Sequence, residues 1–408
     1  MACLKKNGEI FMKKRSAAAA IAAMAGVTSS VLASSAVTGG DLVVYRVGDG
    51  SQTLVNTGNS VFLDEYPSAG GSLVQSIALP TTTSGTSNAL IASGTASSEG
   101  QLSISPNGQY IALTGYDSPL GGTSSLSGTK STTIPRTVGI LNVSTGSVDT
   151  STALTDAYNK NNPRGAVTTD GTEIWTAGAD SSSGPRYTTI GSTTSVALST
   201  TLTNARAVDI FNGQLYASSG STGFVGINQI GTGLPTTTGQ TNSLIASDPS
   251  DPSPYAFYFT TLPGAGFSGI NTLYVADSSG AASPAPEIAK YSASSAGGPW
   301  TLTGEVDVPS PSAATSIIGL AGETSSDGVT LFTSAPSNIF SYTDTSGYDV
   351  APSATPFTTI ATAGTNEAFR GIAYVPTAPV PEPASIGVLS IACLAALRRR
   401  RGLTSVQI

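Results

Sequence analysis

The chain has 408 residues, 39% of them hydrophobic and only 11% charged, with a formal net charge of −7 and no histidine. The missing histidine excludes Ser-His-Asp and Cys-His catalysis, histidine-ligated zinc and the usual general base near neutral pH. Both cysteines, Cys3 and Cys393, stand close to the two ends, which leaves the central region without a disulfide, a thiolate nucleophile or a thiolate ligand.

In chain order, the first element is an export signal. Lys13, Lys14 and Arg15 precede an apolar run over residues 17–27, and the small residues Ser34, Ser35 and Ala36 follow. A basic stretch, an apolar core and a small-residue cleavage site define a signal peptide. Residues 1–36 are therefore expected to be removed after Ala36, with Met12 as the natural start. The domain expected next, residues 37–379, keeps nine of the 18 basic residues and 23 of the 25 acidic ones, a net charge of −14. Binding to nucleic acid is excluded on that balance, because phosphate recognition needs clustered Lys and Arg. Ser and Thr supply roughly a quarter of all residues, well above ordinary usage.

Within this domain helical periodicity is nearly absent. Short β-branched and aromatic runs alternate with Gly, Ser, Asn, Asp and Pro clusters, the pattern of an all-β fold. A unit of strand, Asn-Gly or Asp-Gly turn and strand recurs about Asn107-Gly108, Asp170-Gly171, Asn212-Gly213 and Asp327-Gly328. These dipeptides suit tight hairpins because Asn, Asp and Gly accept positive φ at least cost. A weaker copy joins residues 255–260 to 272–277. Two further strand-like runs follow most units, as at 137–143 and 223–230, so each repeat holds about four strands, the composition of a propeller blade. First strands fall near residues 102, 165, 207, 256, 317 and 371. The last of these lacks partners, while the runs at 41–47, 61–66 and 73–79 lack a first strand. Joining the two sets predicts a six-bladed β-propeller closed by N- and C-terminal strands, which leaves no long sheet edge. Seven blades remain open if residues 219–275 hide another, and a β-sandwich or β-solenoid is the other architecture.

The chain then runs through Val380-Pro381-Glu382-Pro383, an apolar stretch over residues 384–397 and the cluster Arg398, Arg399, Arg400 and Arg401. At ~1.5 Å per residue the apolar stretch is short for a ~30 Å hydrocarbon core, and the arginines would stay cytoplasmic. The order and position of these three parts resemble the PEP-CTERM sorting signal of Gram-negative bacteria, over residues 380–408. The alternative is an ordinary single-span anchor. The resemblance implies recognition of Pro381, Glu382 and Pro383 by an exosortase, a membrane protease-transpeptidase. It also implies an inner-membrane intermediate, delivery to the outer envelope or extracellular matrix, and a setting of extracellular polysaccharide.

Candidate sites are few. Arg164, Arg206 and Arg370 each open a first strand, and Asn162, Asn204 and Asn366 stand two to four residues before them. First strands line a propeller's channel, so these arginines are expected around one mouth. Their planar forks suit carboxylate, sulfate or phosphate. They form either an anion-binding ring or staples between blades. Asp64 and Glu65 face opposite sides of a strand and make a poor catalytic pair, expected at an exposed strand end. The Asp248–Pro254 stretch lacks calcium-loop spacing and reads as a surface loop. Trp175 and Tyr216 are expected in the core, and Trp300, beside Gly297-Gly298-Pro299, in an exposed loop able to stack on sugar. No catalytic set, metal-ligating set or cofactor motif is present. The expected function is a binding or structural envelope component, with a propeller hydrolase or lyase acting on glycans or phosphoesters through carboxylates, with or without calcium, as the rival.

Overall fold

The computed structural model describes residues 35–122, 124–249, 252–278, 286–309 and 316–377. The expected signal peptide (apart from Ser35 and Ala36) and the expected sorting segment 380–408, with Pro381–Pro383 and Arg398–Arg401, lie outside the described residues. Among the described residues no helix is long and apolar enough to cross a membrane.

Six four-stranded antiparallel sheets follow one another along the chain. Blade 1 is built from both ends: Ala368–Tyr374 is innermost, followed outward by Asp41–Val47, Val61–Pro67 and Gln75–Ala78. Blade 2 runs Ser103–Ile104, Tyr110–Tyr116, Arg136–Asn142 and Val148–Leu154. Blade 3 runs Pro163–Thr168, Glu173–Gly178, Arg186–Thr189 and Val196–Ala197. Blade 4 runs Ala205–Phe211, Gln214–Ser219, Gly226–Ile230 and Asn242–Ala246. Blade 5 runs Pro254–Thr260, Thr272–Asp277, Glu287–Ala293 and Trp300–Asp307. Blade 6 runs Gly319–Ser325, Gly328–Ala335, Asn338–Asp344 and Thr358–Thr362. The stretch 219–275 holds the outer strands of blade 4 and the first strands of blade 5, so there is no seventh blade. A further short pair, Gly58–Asn59 with Ala92–Ser93, ties a loop within blade 1 to the connection between blades 1 and 2.

The inner strands pack side by side around the ring, each against the next and blade 1 against blade 2. Main-chain contacts lock some of these neighbours: Gln101 N donates to Arg164 O at 2.8 Å and Gly371 N to Gly100 O at 2.9 Å. Blade 1 closes in register, with Leu42 opposite Tyr374 and Val43 opposite Ala373. Gly40 N donates to Val375 O at 2.7 Å just beyond. Arg46 reinforces the closure, its Nε 2.6 Å from Asp64 Oδ2 and its Nη1 2.8 Å from Glu367 Oε1.

Turn chemistry is more varied than the dipeptides suggest. Asn212 and Gly213 both take positive φ, 52° and 72°, in the two-residue turn between Phe211 and Gln214. That is the type I′ geometry whose twist matches the flanking strands. At Asn107-Gly108 and Asp170-Gly171 only the glycine does, at 71° and 86°. In the last hairpin Ser326 and Asp327 are the turn centre, and Gly328 (φ 132°) opens the strand.

The core lies between blades. Trp175 is fully buried, and its indole N–H donates to Pro235 O at 2.8 Å. Tyr216 of blade 4 packs on Phe259 of blade 5, centroids 4.7 Å apart, and Phe332 of blade 6 stacks on Tyr374 of blade 1 at 5.5 Å. Between blades 5 and 6 the junction is ionic. Lys290 Nζ lies 2.7 Å from Asp344 Oδ2, and both side chains are fully buried. Tyr274 donates to the same oxygen at 2.7 Å, and Lys290 also reaches Ser346 Oγ and Gly347 O. Burial alone would raise the Asp344 carboxyl, but the hydrogen bonds from Lys290, Ser346 and Tyr274 outweigh it and hold the group low.

Candidate functional site

The ladders explain why particular side chains project at the end of the channel where inner strands begin. In blades 3, 4 and 5 the register shifts between Pro163 and Gly165, between Ala205 and Val208, and between Pro254 and Phe257. A bulge takes a residue out of the ladder and re-aims its side chain. The residues so released are Arg164, Arg206 and Tyr255. Blade 1 has a bulge at the corresponding place, beside Arg370.

Each arginine reaches out of its own strand. Arg164 Nη1 donates to Asn204 Oδ1 and, at 3.1 Å, to Ala205 O, both in the lead-in to blade 4. Arg206 Nη1 donates to Ser253 Oγ at 2.9 Å and Pro254 O at 3.2 Å, at the start of blade 5, and its guanidinium lies 4.5 Å from the Tyr255 ring centroid. Arg370, 3% exposed, donates to Phe369 O and to Gly94 O, the latter in the lead-in to blade 2. All three therefore bridge to a neighbouring blade, and all three keep a buried Nε with no acceptor among the described residues. Burial lowers the pKa of Arg164, with the nearby charge of Arg206 acting in the same direction. Burial likewise lowers that of Arg370. Of the paired asparagines, Asn204 serves Arg164, Asn162 Nδ2 donates to Glu99 at 2.6 Å, and Asn366 is a turn residue with φ 61°.

Glu99 is a buried carboxyl near the mouth that sequence reasoning did not single out. It is 3% exposed and accepts hydrogen bonds from Tyr116 Oη at 2.5 Å, Asn162 Nδ2 at 2.6 Å and Ser93 N at 3.2 Å. Burial nonetheless pushes its pKa up to about 7, against those bonds and the charge of Arg370. A signal did exist. Glu99 stands two residues before Gln101, as Asn162 stands before Arg164, Asn204 before Arg206 and Ser253 before Tyr255. Gln101 is 1% exposed and neither atom of its side-chain amide has a partner among the described residues.

A second acidic group lies on the outer half of blade 5, away from the channel. Oxygens of Asp248, Glu287 and Glu305 come within 4.8 Å of one another. Desolvation, then the charges of Glu305, Asp277 and Asp248, push Glu287 up to about 8, and desolvation also raises Glu305. Asp277, which accepts from Ser253 N at 2.8 Å, is pushed by burial to about 7. Such a set holds protons at neutral pH or offers oxygens to a hard cation. The three residues come from a loop and two separate strands, so no local spacing announced them.

Other expectations need correcting. Asp64 and Glu65 are not an exposed strand end but are each 1% exposed. They lie mid-strand, where Asp64 pairs with Arg46 and Glu65 accepts from Thr38 N at 2.8 Å and Gln75 Nε2 at 2.6 Å. Trp300 is not in a loop; it opens the outer strand of blade 5 and packs edge-on to Phe259 at 5.3 Å. Asp248, expected in a surface loop, is 4% exposed.

No family model matches the chain, and no curated protein does. Solved structures are similar at low identity. A chain of a nidogen–laminin complex shares 10% identity at a TM-score of 0.46, over 83% of this chain and 99% of that one. The periplasmic gluconolactonase PpgL of Pseudomonas aeruginosa shares 11% at 0.40, over 79% and 83%. A putative 6-phosphogluconolactonase of Bacteroides uniformis shares 12% at 0.37, over 83% and 98%. At these values none of the three bears on the chemistry of the mouth, and the blade assignment rests on the ladders themselves.

Proposed function

We propose that this chain is an exported envelope or extracellular-matrix protein, processed at its C-terminal segment by an exosortase-type transpeptidase. Its propeller acts as a binding or structural component with extracellular polysaccharide rather than as an enzyme. One observation carries the reading: both ends of the propeller meet in blade 1, at the Gly40–Val375 hydrogen bond, and the Pro-Glu-Pro motif begins six residues after Val375. A domain attached through a single blade leaves its other five blades and its channel free to meet a matrix. Glycoside hydrolysis ordinarily uses two carboxyls flanking one scissile bond. The converging carboxyls of Asp248, Glu287 and Glu305 stand on the outer half of blade 5, not at the channel mouth where the arginines lie.

The test is the intact mass and the subcellular fraction of the native protein from its own cells. Loss of the mass beyond residues 380–383, with the protein in the outer envelope or medium, supports the proposal. An intact tail in the inner membrane overturns it and leaves an anchored propeller.

A further inference from the structure

Six of the propeller's nine basic residues fall into two kinds. Arg46, Arg186 and Lys290 each lie within 4.0 Å of a carboxylate. Arg164, Arg206 and Arg370 have no such partner among the described residues, although all three are largely buried and each carries an Nε without an acceptor. A buried guanidinium N–H left unpaired is costly, and two such groups side by side repel. Arg164 and Arg206 are neighbours in this sense. Arg164 is bonded to Ala205 O, the residue before Arg206, and the two charges act on each other. Arg370 is different, since it is turned into the blade 1–blade 2 junction beside Glu99.

The unused donors of Arg206 have a defined direction. Its Nη1 is held by Ser253 Oγ and Pro254 O, and its plane lies against Tyr255. Its Nε is buried, so Nη2 is the donor left to reach a ligand, through a charge-assisted hydrogen bond to a carboxylate oxygen. The Nε/Nη2 edge packs against Gly220, where a Cβ would stand 2.8 Å from Asn204 Nδ2, 3.0 Å from Nη2 and 3.2 Å from Nε. A side chain there would displace the guanidinium, so glycine at this position lets Arg206 keep its place. Arg164, similarly held through Nη1, supplies the second positive charge.

We propose that Arg206, with Arg164 beside it and Tyr255 fixing its plane, forms a carboxylate site at the channel mouth whose ligand is an acidic sugar residue, a uronate, of an extracellular polysaccharide. The inference rests on the polysaccharide-binding reading above and names the group that is recognised. The domain's net charge of −14 restricts the ligand further. A densely charged polyanion is repelled at long range, so the site favours a polymer with isolated uronates among neutral sugars, and its binding weakens with salt.

The experiment measures binding by the native full-length protein, by calorimetry at low and at high salt. The probes are an oligosaccharide containing one glucuronate, the same oligosaccharide with that carboxyl reduced to an alcohol, and the host's own neutral and acidic polysaccharide fractions. Two variants accompany it: Arg206→Gln, and Gly220→Ala, whose added methyl crowds Asn204 Nδ2 and the guanidinium and so displaces Arg206 while keeping its charge. Thermal melting checks that each remains folded. The expected result is binding of the glucuronate probe and the acidic fraction, lost by roughly tenfold or more on carboxyl reduction and in both variants. Binding of neutral and reduced probes equal to that of the acidic ones overturns the carboxylate site but leaves polysaccharide binding standing. So does acidic binding unchanged by both variants. Failure to bind any of the polymers overturns both the inference and the reading it rests on.

Discussion

Removing the ammonium of Lys290 by Lys290→Met tests whether the blade 5–blade 6 junction depends on the ion pair itself. The substitution keeps most of the aliphatic stem and leaves Asp344 fully buried. Breaking one partner of a buried pair costs about 3–5 kcal/mol, because the remaining charge is uncompensated. Asp344 would retain Tyr274 Oη at 2.7 Å, Ser346 N at 3.0 Å and Ser353 N at 3.2 Å. These three donors place the expectation at the lower end, about 3 kcal/mol. With an unfolding entropy of ~2.1 cal/mol/K per residue, a propeller of this size has about 0.7 kcal/mol/K in all, so Tm falls by about 4 °C. Asp344→Leu alone strands the lysine and should cost a similar amount. The double variant should cost clearly less than the sum, since an apolar pair needs no compensation. The Asp344 carboxyl is held low in the folded state, so its stabilising effect is present above the unfolded value near 3.9 and is lost as pH falls through the lower folded value. Calorimetric melts at pH 7 decide the matter. A single variant that melts within 1 °C of the parent, or a double variant equal to the sum, refutes the reasoning.

Other expectations follow from the same geometry. Glu99 is raised to about 7 and Asp209, mid-strand in blade 4, to about 8, chiefly by burial. Raised carboxyls favour the folded state below their folded values, so stability should fall as pH rises from about 5 to 8; urea midpoints across that range check the sign, and Glu99→Gln should flatten the slope. Asn212→Val should destabilise by about 1–2 kcal/mol, because a β-branched residue tolerates the φ of 52° poorly, whereas Asn212→Gly should be nearly neutral, as denaturant titration can show. Gly178→Ala should lower Tm, since its Cβ would stand 2.5 Å from both Asn162 O and Tyr158 Cδ1. Deleting Ala368–Tyr374 opens blade 1 and should convert one cooperative melt into a broad transition with aggregation, visible by light scattering.

The ring was legible because hairpins are local. Strand, turn residue and strand sit within a dozen positions, and the unmatched runs at the two ends pointed to a shared blade. The arginine positions were legible for the same reason, as they recur at one place in the repeat. What those side chains touch was not legible, because each partner belongs to the next blade. Asp64 illustrates the gap: its acidic neighbour Glu65 suggested a strand end, while Arg46 and Ser76, on the two flanking strands, make it a buried brace. The acidic group of blade 5 was hidden for a similar reason, since Asp248, Glu287 and Glu305 meet only when three segments are laid side by side. Glu99 could have been found by aligning the lead-ins as carefully as the strands.

On the proposed export route, the last strand to join blade 1 would also be the last to cross the membrane. Ala368–Tyr374 fills the innermost place of the ring, so on that route five blades would form while the first was still three-stranded. From Val375 to Pro381 the chain can span at most ~20 Å when extended. A sorting enzyme acting at Pro381–Pro383 would therefore work within about one strand-length of a fully closed ring. Closure and cutting compete for the same short stretch of chain, and their order would decide whether the protein leaves the membrane folded or still open along one seam.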